Sequence, residues 1–151
     1  MQPVEVRRAR PADLPALLHL EALFPSDAMS RRSLRRFIDN SSAVFLVAVD
    51  GADGPIVGNL LLLTRRDRDS ARLYSIVVDP AARGRGIAQQ LIEAAHRQAQ
   101  QRGCRRVVLE VRCDNAAALA LYQRRGYRAV EMLPAYYEDG ADGTRLAVDL
   151  T

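Results

Sequence analysis

One short run constrains this chain more than any other: Val78-Asp79-Pro80-Ala81-Ala82-Arg83-Gly84-Arg85-Gly86-Ile87-Ala88. Before it, Leu73 to Val78 is an apolar, strand-like stretch stopped by Asp79-Pro80. After it, Ile87, Leu91, Ala94, Ala95 and Ala99 recur at helical spacing as far as Gly103. A strand therefore hands over to a long helix, roughly Gly84 to Arg102, through two glycines. Such a junction exposes successive backbone N–H groups where the helix dipole adds positive potential, which makes an anion site. Arg83 and Arg85 add planar cationic donors suited to phosphate oxygens, and the small Ala88 lets a ligand come close to the helix. These residues alone leave two readings open, a phosphate-binding loop and a tight turn flanked by solvated arginines.

Two common phosphate sites do not fit. A dinucleotide fingerprint needs a third glycine where this chain has Gln89, and its glycines belong in the immediate turn, not five residues beyond the strand. A Walker loop needs Gly-Lys-Ser/Thr. All 22 basic residues here are arginine, so that loop is excluded, and Schiff-base lysine chemistry with it.

The rest of the chain supplies the frame. Val4 to Ala9 alternates as a short strand, and Pro11-Ala12-Asp13 opens a helix with Leu14, Leu17, Leu18 and Ala22 on one face. A break at Phe24-Pro25-Ser26-Asp27 precedes a second helix, capped by Ser30, with Leu34, Phe37 and Ile38 inward. Ala43 to Val49 and Ile56 to Leu63 flank the turn Asp50-Gly51-Ala52-Asp53-Gly54 as a hairpin. Beyond the long helix come a strand at Arg106 to Val111, a helix at Asn115 to Arg125 closed by Gly126, and strands at Tyr127 to Leu133 and Thr144 to Leu150. The order is β-α-α-β-β-β-α-β-α-β-β. It predicts a single α/β domain of the α+β type over residues 1–151. Its mixed, mostly antiparallel sheet has six to seven strands flanked by helices, and one parallel crossover around the long helix.

A second constellation lies at Leu109-Glu110-Val111-Arg112-Cys113-Asp114-Asn115-Ala116-Ala117-Ala118-Leu119-Ala120-Leu121-Tyr122. Val107, Leu109 and Val111 share one face of the strand, which turns Glu110 to the other. On the next helix Asn115, Leu119 and Tyr122 share a face. A carboxylate in an apolar strand is costly unless paired or used. It can take a proton from an amine, and a tyrosine can give one to a leaving group. An arginine-paired Glu110 and a Tyr122 that merely packs are the alternatives.

Arg83-x-x-Gly86-x-Ala88, with a strand before it and a helix after it, resembles the signature of the GCN5-related N-acetyltransferases (GNAT). The element order resembles their fold over essentially the full chain. The resemblance implies acetyl-CoA as co-substrate and no metal. It implies the pyrophosphate on the amides of Gly84, Arg85, Gly86, Ile87, Ala88 and Gln89. The pantetheine arm would lie beside Ile76, Val77 and Val78, where the strands flanking the helix splay. Leu-Glu-Val-Arg-x-x-Asn-Ala-Ala-Ala-x-Ala-Leu-Tyr, Gly126-Tyr127, Tyr136-Tyr137 and Asp142-Gly143 resemble the RimI-like ribosomal-protein-alanine N-acetyltransferase branch. That implies Glu110 as general base, Tyr122 as general acid and Asn115 as a cofactor contact. Tyr136 and Tyr137 would stand on the lip where a peptide N-terminus enters, or pack at the base of a hairpin. The first 45 residues match less well; Ser26 follows Pro25 where that branch often carries a Trp.

The expected reaction is transfer of the acetyl group of acetyl-CoA to a primary amine, a protein or peptide N-terminal α-amine, by direct attack in a ternary complex. A small amine as acceptor and a non-catalytic acetyl-CoA-binding domain are the alternatives. Net charge is +4 with 18 acidic residues interspersed, and no aromatic-basic interleaving points to nucleic acid. No apolar run is long enough to span a membrane and no signal peptide is evident, which predicts a cytoplasmic protein, monomer or homodimer. Cys104 and Cys113 read as free buried thiols in a reducing cytosol, His19 and His96 as structural. Arg31, Arg32, Arg35 and Arg36 form either a solvated helix face or a surface that attracts an acidic acceptor.

Overall fold

Two strands buried along almost their whole length set the centre of the sheet. In the computed structural model, which describes residues 3–25 and 28–150, these are β2 (Ala43–Asp50) and β3 (Ile56–Leu63), preceded by β1 (Val4–Arg8). Helices cover both faces, so neither strand needs a polar side. Val44, Leu46, Leu60 and Leu62 enter one core with Leu91, Ile92 and Ala95, while Phe45, Val47 and Leu61 enter a second with Leu14, Leu17 and Leu34. The first core lies under α3 (Ile87–Gln101), the second under α1 (Leu14–Glu21) and α2 (Arg31–Asp39).

The remaining elements are β4 (Ser70–Val78), β5 (Arg106–Arg112), α4 (Ala116–Arg124), β6 (Arg128–Leu133) and β7 (Gly143–Asp149). They complete a seven-stranded sheet in the order β1-β2-β3-β4-β5-β7-β6. Only β4 and β5 run parallel, joined by the α3 crossover, and they pair through three residues alone: Ser70 with Arg106, Ala71 with Val107, Arg72 with Val108. Beyond Arg72 the two strands part. On its other edge β4 stays paired to β3 out to Val78. That ladder slips between Leu61 and Leu62, whose partners are Ser75 and Leu73, leaving Tyr74 as the extra residue of a bulge.

Element order and sheet type follow the sequence-based expectation, with informative departures at the ends. Pro11–Asp13 forms a 3-10 turn before α1, with Asp13 taking two hydrogen bonds from Arg7 (2.8 and 3.0 Å) and one from the Arg10 N–H (2.7 Å). The Arg7 guanidinium holds the Asp13 carboxyl below the usual carboxylate range. The buried face of α1 is Leu14, Leu17, Leu20 and Glu21, with Leu18 half-buried against the same core as expected and only Ala22 turned outward. Glu21 explains the difference. Its carboxylate, 2% exposed, accepts from the Met29 N–H (2.9 Å) and the Asn59 amide (3.1 Å), pulling the last turn onto β3. Of the predicted break before α2, Ser26 and Asp27 lie outside the described residues. The Ser30 cap forms as expected, accepting from the Ser33 N–H at 3.1 Å.

The long helix begins at Ile87 rather than Gly84, because Gly84 and Gly86 adopt φ of +82° and +75°, outside the helical region. On its buried face His96 hydrogen-bonds the Tyr127 hydroxyl (2.7 Å), and the Tyr127 ring meets Tyr122 edge-on at 5.4 Å. Burial lowers the His96 pKa, with Glu93 opposing and Arg125 reinforcing the effect. No helix among the described residues is long and apolar enough to cross a membrane.

Two stability tests follow from this packing. Leu91→Ala removes a fully buried side chain between α3 and β3, and should cost about 2 to 5 kcal/mol in urea unfolding. His96 is neutral in the fold, whereas the unfolded chain takes up its proton near pH 6.5. Stability should therefore fall as pH drops through that value, and continue to fall until the lower folded-state pKa is passed. Thermal midpoints of wild type and His96→Gln between about pH 8 and pH 5 isolate the effect; the variant should show the shallower decline.

Candidate active site

Where β4 ends, Asp79 caps a short turn (Pro80–Ala82) by accepting the Ala81 N–H at 2.9 Å, and the chain then passes through both positive-φ glycines into α3. The N–H groups of Gly84, Gly86, Ile87, Ala88 and Gln89 have no backbone acceptor among the described residues. They face a cleft of about 320 Å³ lined by Val78, Ala82, Arg83, Gly84, Gly86, Ile87, Ala88 and Gln89. A Cβ built at Gly84 would meet nothing within 4 Å, and one at Gly86 only Gln89 Oε1 at 4.0 Å. The glycines thus serve backbone conformation and open donors, not close packing. Donor-rich, open and at a helix N-terminus, the cradle fits a phosphorylated ligand.

The loop arginines divide. Arg83 is exposed on the rim of the cleft. Arg85 is turned away from it, its two terminal nitrogens each 2.9 Å from an Asp50 oxygen at the end of β2. That pair holds the Asp50 carboxyl low and ties the loop to the hairpin. The Arg85 side chain is therefore a brace, not a lining group. Ile76 and Val77 stand half-buried on the part of β4 that has left β5, beside Val78 on the cleft wall.

Glu110 sits beyond the last β4–β5 pair, on the β5 face opposite the main core. Its side chain is 8% exposed and gripped twice: Arg72 approaches Oε1 at 2.6 and 2.8 Å, and Arg145 reaches Oε2 at 3.1 Å. Arg145 is the cross-strand neighbour of Glu110 on β7 and also pairs with Glu131 of β6. The arginine-paired alternative is thus the resting arrangement. Sequence reading missed both partners, since strand register alone brings Arg145 opposite Glu110, and Arg72 belongs to the polar start of β4.

Tyr122 lies on the α3 side, 5% exposed, against Tyr127. Burial pushes its pKa up to about 12, which keeps it a proton donor at neutral pH. Asn115 caps α4, its Oδ1 accepting the Ala118 N–H at 3.1 Å, so that oxygen is already engaged. Tyr136 and Tyr137 pack edge to face at 5.1 Å over Gly143, and Tyr137 also lies under the Arg112 guanidinium. Tyr137 is half-buried in this packing and Tyr136 is exposed. Among the described residues no group of His, Cys, Asp or Glu could hold a metal ion. Cys104 is a free buried thiol as expected, whereas Cys113, in the turn after β5, is exposed.

Comparison with known proteins agrees with this geometry. Residues 14–127 match the sequence model of the Acetyltransferase (GNAT) family. The chain is 30% identical over 125 residues to the ribosomal protein bS18-alanine N-acetyltransferase of Escherichia coli strain K12, covering 83% of this chain and 81% of that protein. It is 38% identical over 95 residues to the N-alpha-acetyltransferase MAK3 of Arabidopsis thaliana, covering 62% of this chain. The match spans 50% of the plant protein's length. The crystal structure of the Escherichia coli ribosomal-protein-S18-alanine N-acetyltransferase superposes with a TM-score of 0.86 at 25% identity, covering 99% of this chain and 95% of that one. Fold, glycine loop and sequence match together establish that this chain belongs to the GNAT acetyltransferase family.

Proposed function

We propose that this protein acetylates the N-terminal α-amine of a protein or peptide, with donor and acceptor bound together. The observation that carries the reading is the opening between β4 and β5. The β4–β5 pairing ends at Arg72 and Val108, one strand position short of Glu110 on its face, while β4 runs on to Val78 at the donor cradle. Support for a polypeptide acceptor comes from the two named N-terminal acetyltransferases to which the chain is similar.

The amides of Gly84, Gly86, Ile87, Ala88 and Gln89 hold the pyrophosphate, with Arg83 adding charge at the rim. Ile76, Val77 and Val78 offer the edge of β4 that no longer faces β5, where backbone groups can bond the pantetheine arm. Acetyl-CoA supplies the thioester carbonyl that the amine attacks. Glu110 draws the protonated amine into the opening and takes its proton, directly or through one water. The Arg72 side chain is the more exposed of the two clamps and can swing aside to admit it. From the α3 side, Tyr122 gives its proton to the departing sulfur. Orientation of the two bound substrates supplies much of the acceleration.

Acetyl-CoA and CoA, but not NAD or ATP, should raise the thermal midpoint. Ligand at about a hundred times Kd adds roughly 2.7 kcal/mol. Peptides with free N-termini should then be acetylated, and small amines should not. Glu110→Gln and Tyr122→Phe should each lower kcat roughly a hundredfold or more while keeping the acetyl-CoA-induced shift. Because Tyr122 stays protonated until about pH 12, wild-type kcat should show no alkaline loss from it between neutrality and about pH 10. Absence of a shift with acetyl-CoA would sink the donor assignment, and full kcat in both variants would sink the acid and base roles.

A further inference from the structure

A continuous run of cations and rings leads away from Glu110 across the sheet face opposite α3. The Arg72 guanidinium that grips Glu110 also lies 5.5 Å from the ring centre of Tyr74. Tyr74, on the same exposed face of β4 as Arg72 and 50% exposed, lies 6.2 Å from the ring of Phe37 on α2. Arg36 in turn sits over Phe37 at 5.3 Å. The ladder Arg36–Phe37–Tyr74–Arg72–Glu110 thus runs from α2 to the point where β4 and β5 part.

Its outer end is strongly cationic. Arg31, Arg32, Arg35 and Arg36 are exposed, and none forms an ion pair among the described residues. The helix itself carries one carboxylate, Asp39. The other flank of the opening is different. Arg112 there is bound by both Asp114 and Asp139, so its charge is answered locally. The charge asymmetry across the mouth therefore points toward α2.

We propose that this ladder is the track for the acceptor chain beyond its first residues, and that it selects an acidic segment. The inference rests on the α-amine reading above and adds to it the chemistry of the acceptor. With the amine at Glu110, the following residues cross Tyr74 and Phe37, whose rings offer apolar contact without demanding a sequence. Carboxylates further along meet the arginines of α2, four cations that form no ion pair among the described residues and share their helix with the single carboxylate of Asp39. Arg36, held on a ring, is already oriented for that contact.

The test uses the intact protein and peptides sharing their first two residues, followed by glutamate, serine or arginine. At low ionic strength kcat/KM should fall from the glutamate to the arginine peptide by about tenfold or more, carried by KM. The order should collapse near 1 M salt, where screening acts within about 3 Å. Replacing Arg32, Arg35 and Arg36 together by serine should abolish the order while leaving the thermal midpoint and the acetyl-CoA affinity unchanged. Equal kcat/KM for all three peptides would overturn the inference and leave the α-amine reading intact. Acetylation of small amines alone would overturn both. A single-stranded oligonucleotide that inhibits acetylation more strongly than the glutamate peptide competes would overturn it in favour of a nucleic-acid surface.

Discussion

Parallel strands joined by a crossover helix ordinarily pair along their length, and in this protein they do not. β4 and β5 bond through Ser70 to Arg72 and then separate, while β4 remains bonded to β3 as far as Val78. Six residues of β4 are thus left with one edge satisfied and the other turned to an opening. α3 cannot close that opening. Ile87, Leu91, Ala95 and Ala99 lock the helix against β2 and β3, and its alanines bring it close enough to fix its N-terminus at the head of the gap. Cradle, opening and carboxylate owe their relative positions to this one interrupted pairing.

A sheet carrying a gap needs its charges placed with care. Glu110 would be costly on a half-buried strand, and the register answers it with Arg145 directly across and Arg72 from the neighbouring strand. Glu131 then answers Arg145, so the network spans β4, β5, β7 and β6. Glu21 is handled in another way. Among the described residues it has no cation, only the Met29 N–H and the Asn59 amide, and Asn59 Oδ1 is left buried without a partner. The polar groups that tie α1 to β3 are therefore hydrogen-bonded donors and acceptors, whereas those around the opening are ion pairs able to exchange partners with an incoming charge.

Much of this was legible before any coordinates. The hairpin of β2 and β3 and the buried face of α3 follow from periodicities of two and 3.6 residues, and both are present, with the helix starting at Ile87 instead of Gly84. The failures share a cause. The start of β4 at Ser70 and the Arg145–Glu110 pair depend on what lies across the sheet, which no local pattern encodes. The last turn of α1 departs from the apolar stripe because a buried glutamate looks polar to any amphipathicity argument, whereas the exposed Ala22 fits one. Arg85 was read as a ligand group from its loop, yet Asp50, distant in sequence, claims its side chain.

The two halves of the opening differ in what builds them, and this decides which half a sequence can reveal. On the donor side the recognition groups are backbone N–H donors, and the sequence enters only through permission: glycine where φ is positive, a small residue where the ligand passes. Few residues satisfy such conditions, so the signal is short and recognisable. On the acceptor side the groups are side chains, drawn from α2, β4, β5 and the stretch around Tyr136, and any of them can change without disturbing the sheet. Tyr74 shows the difference. It alternates onto the exposed face of β4, and from there it can be exchanged for another residue at little cost to the fold. A fold built this way can keep one donor while its acceptor varies, because the constraint on the first lies in the backbone and that on the second in exposed side chains.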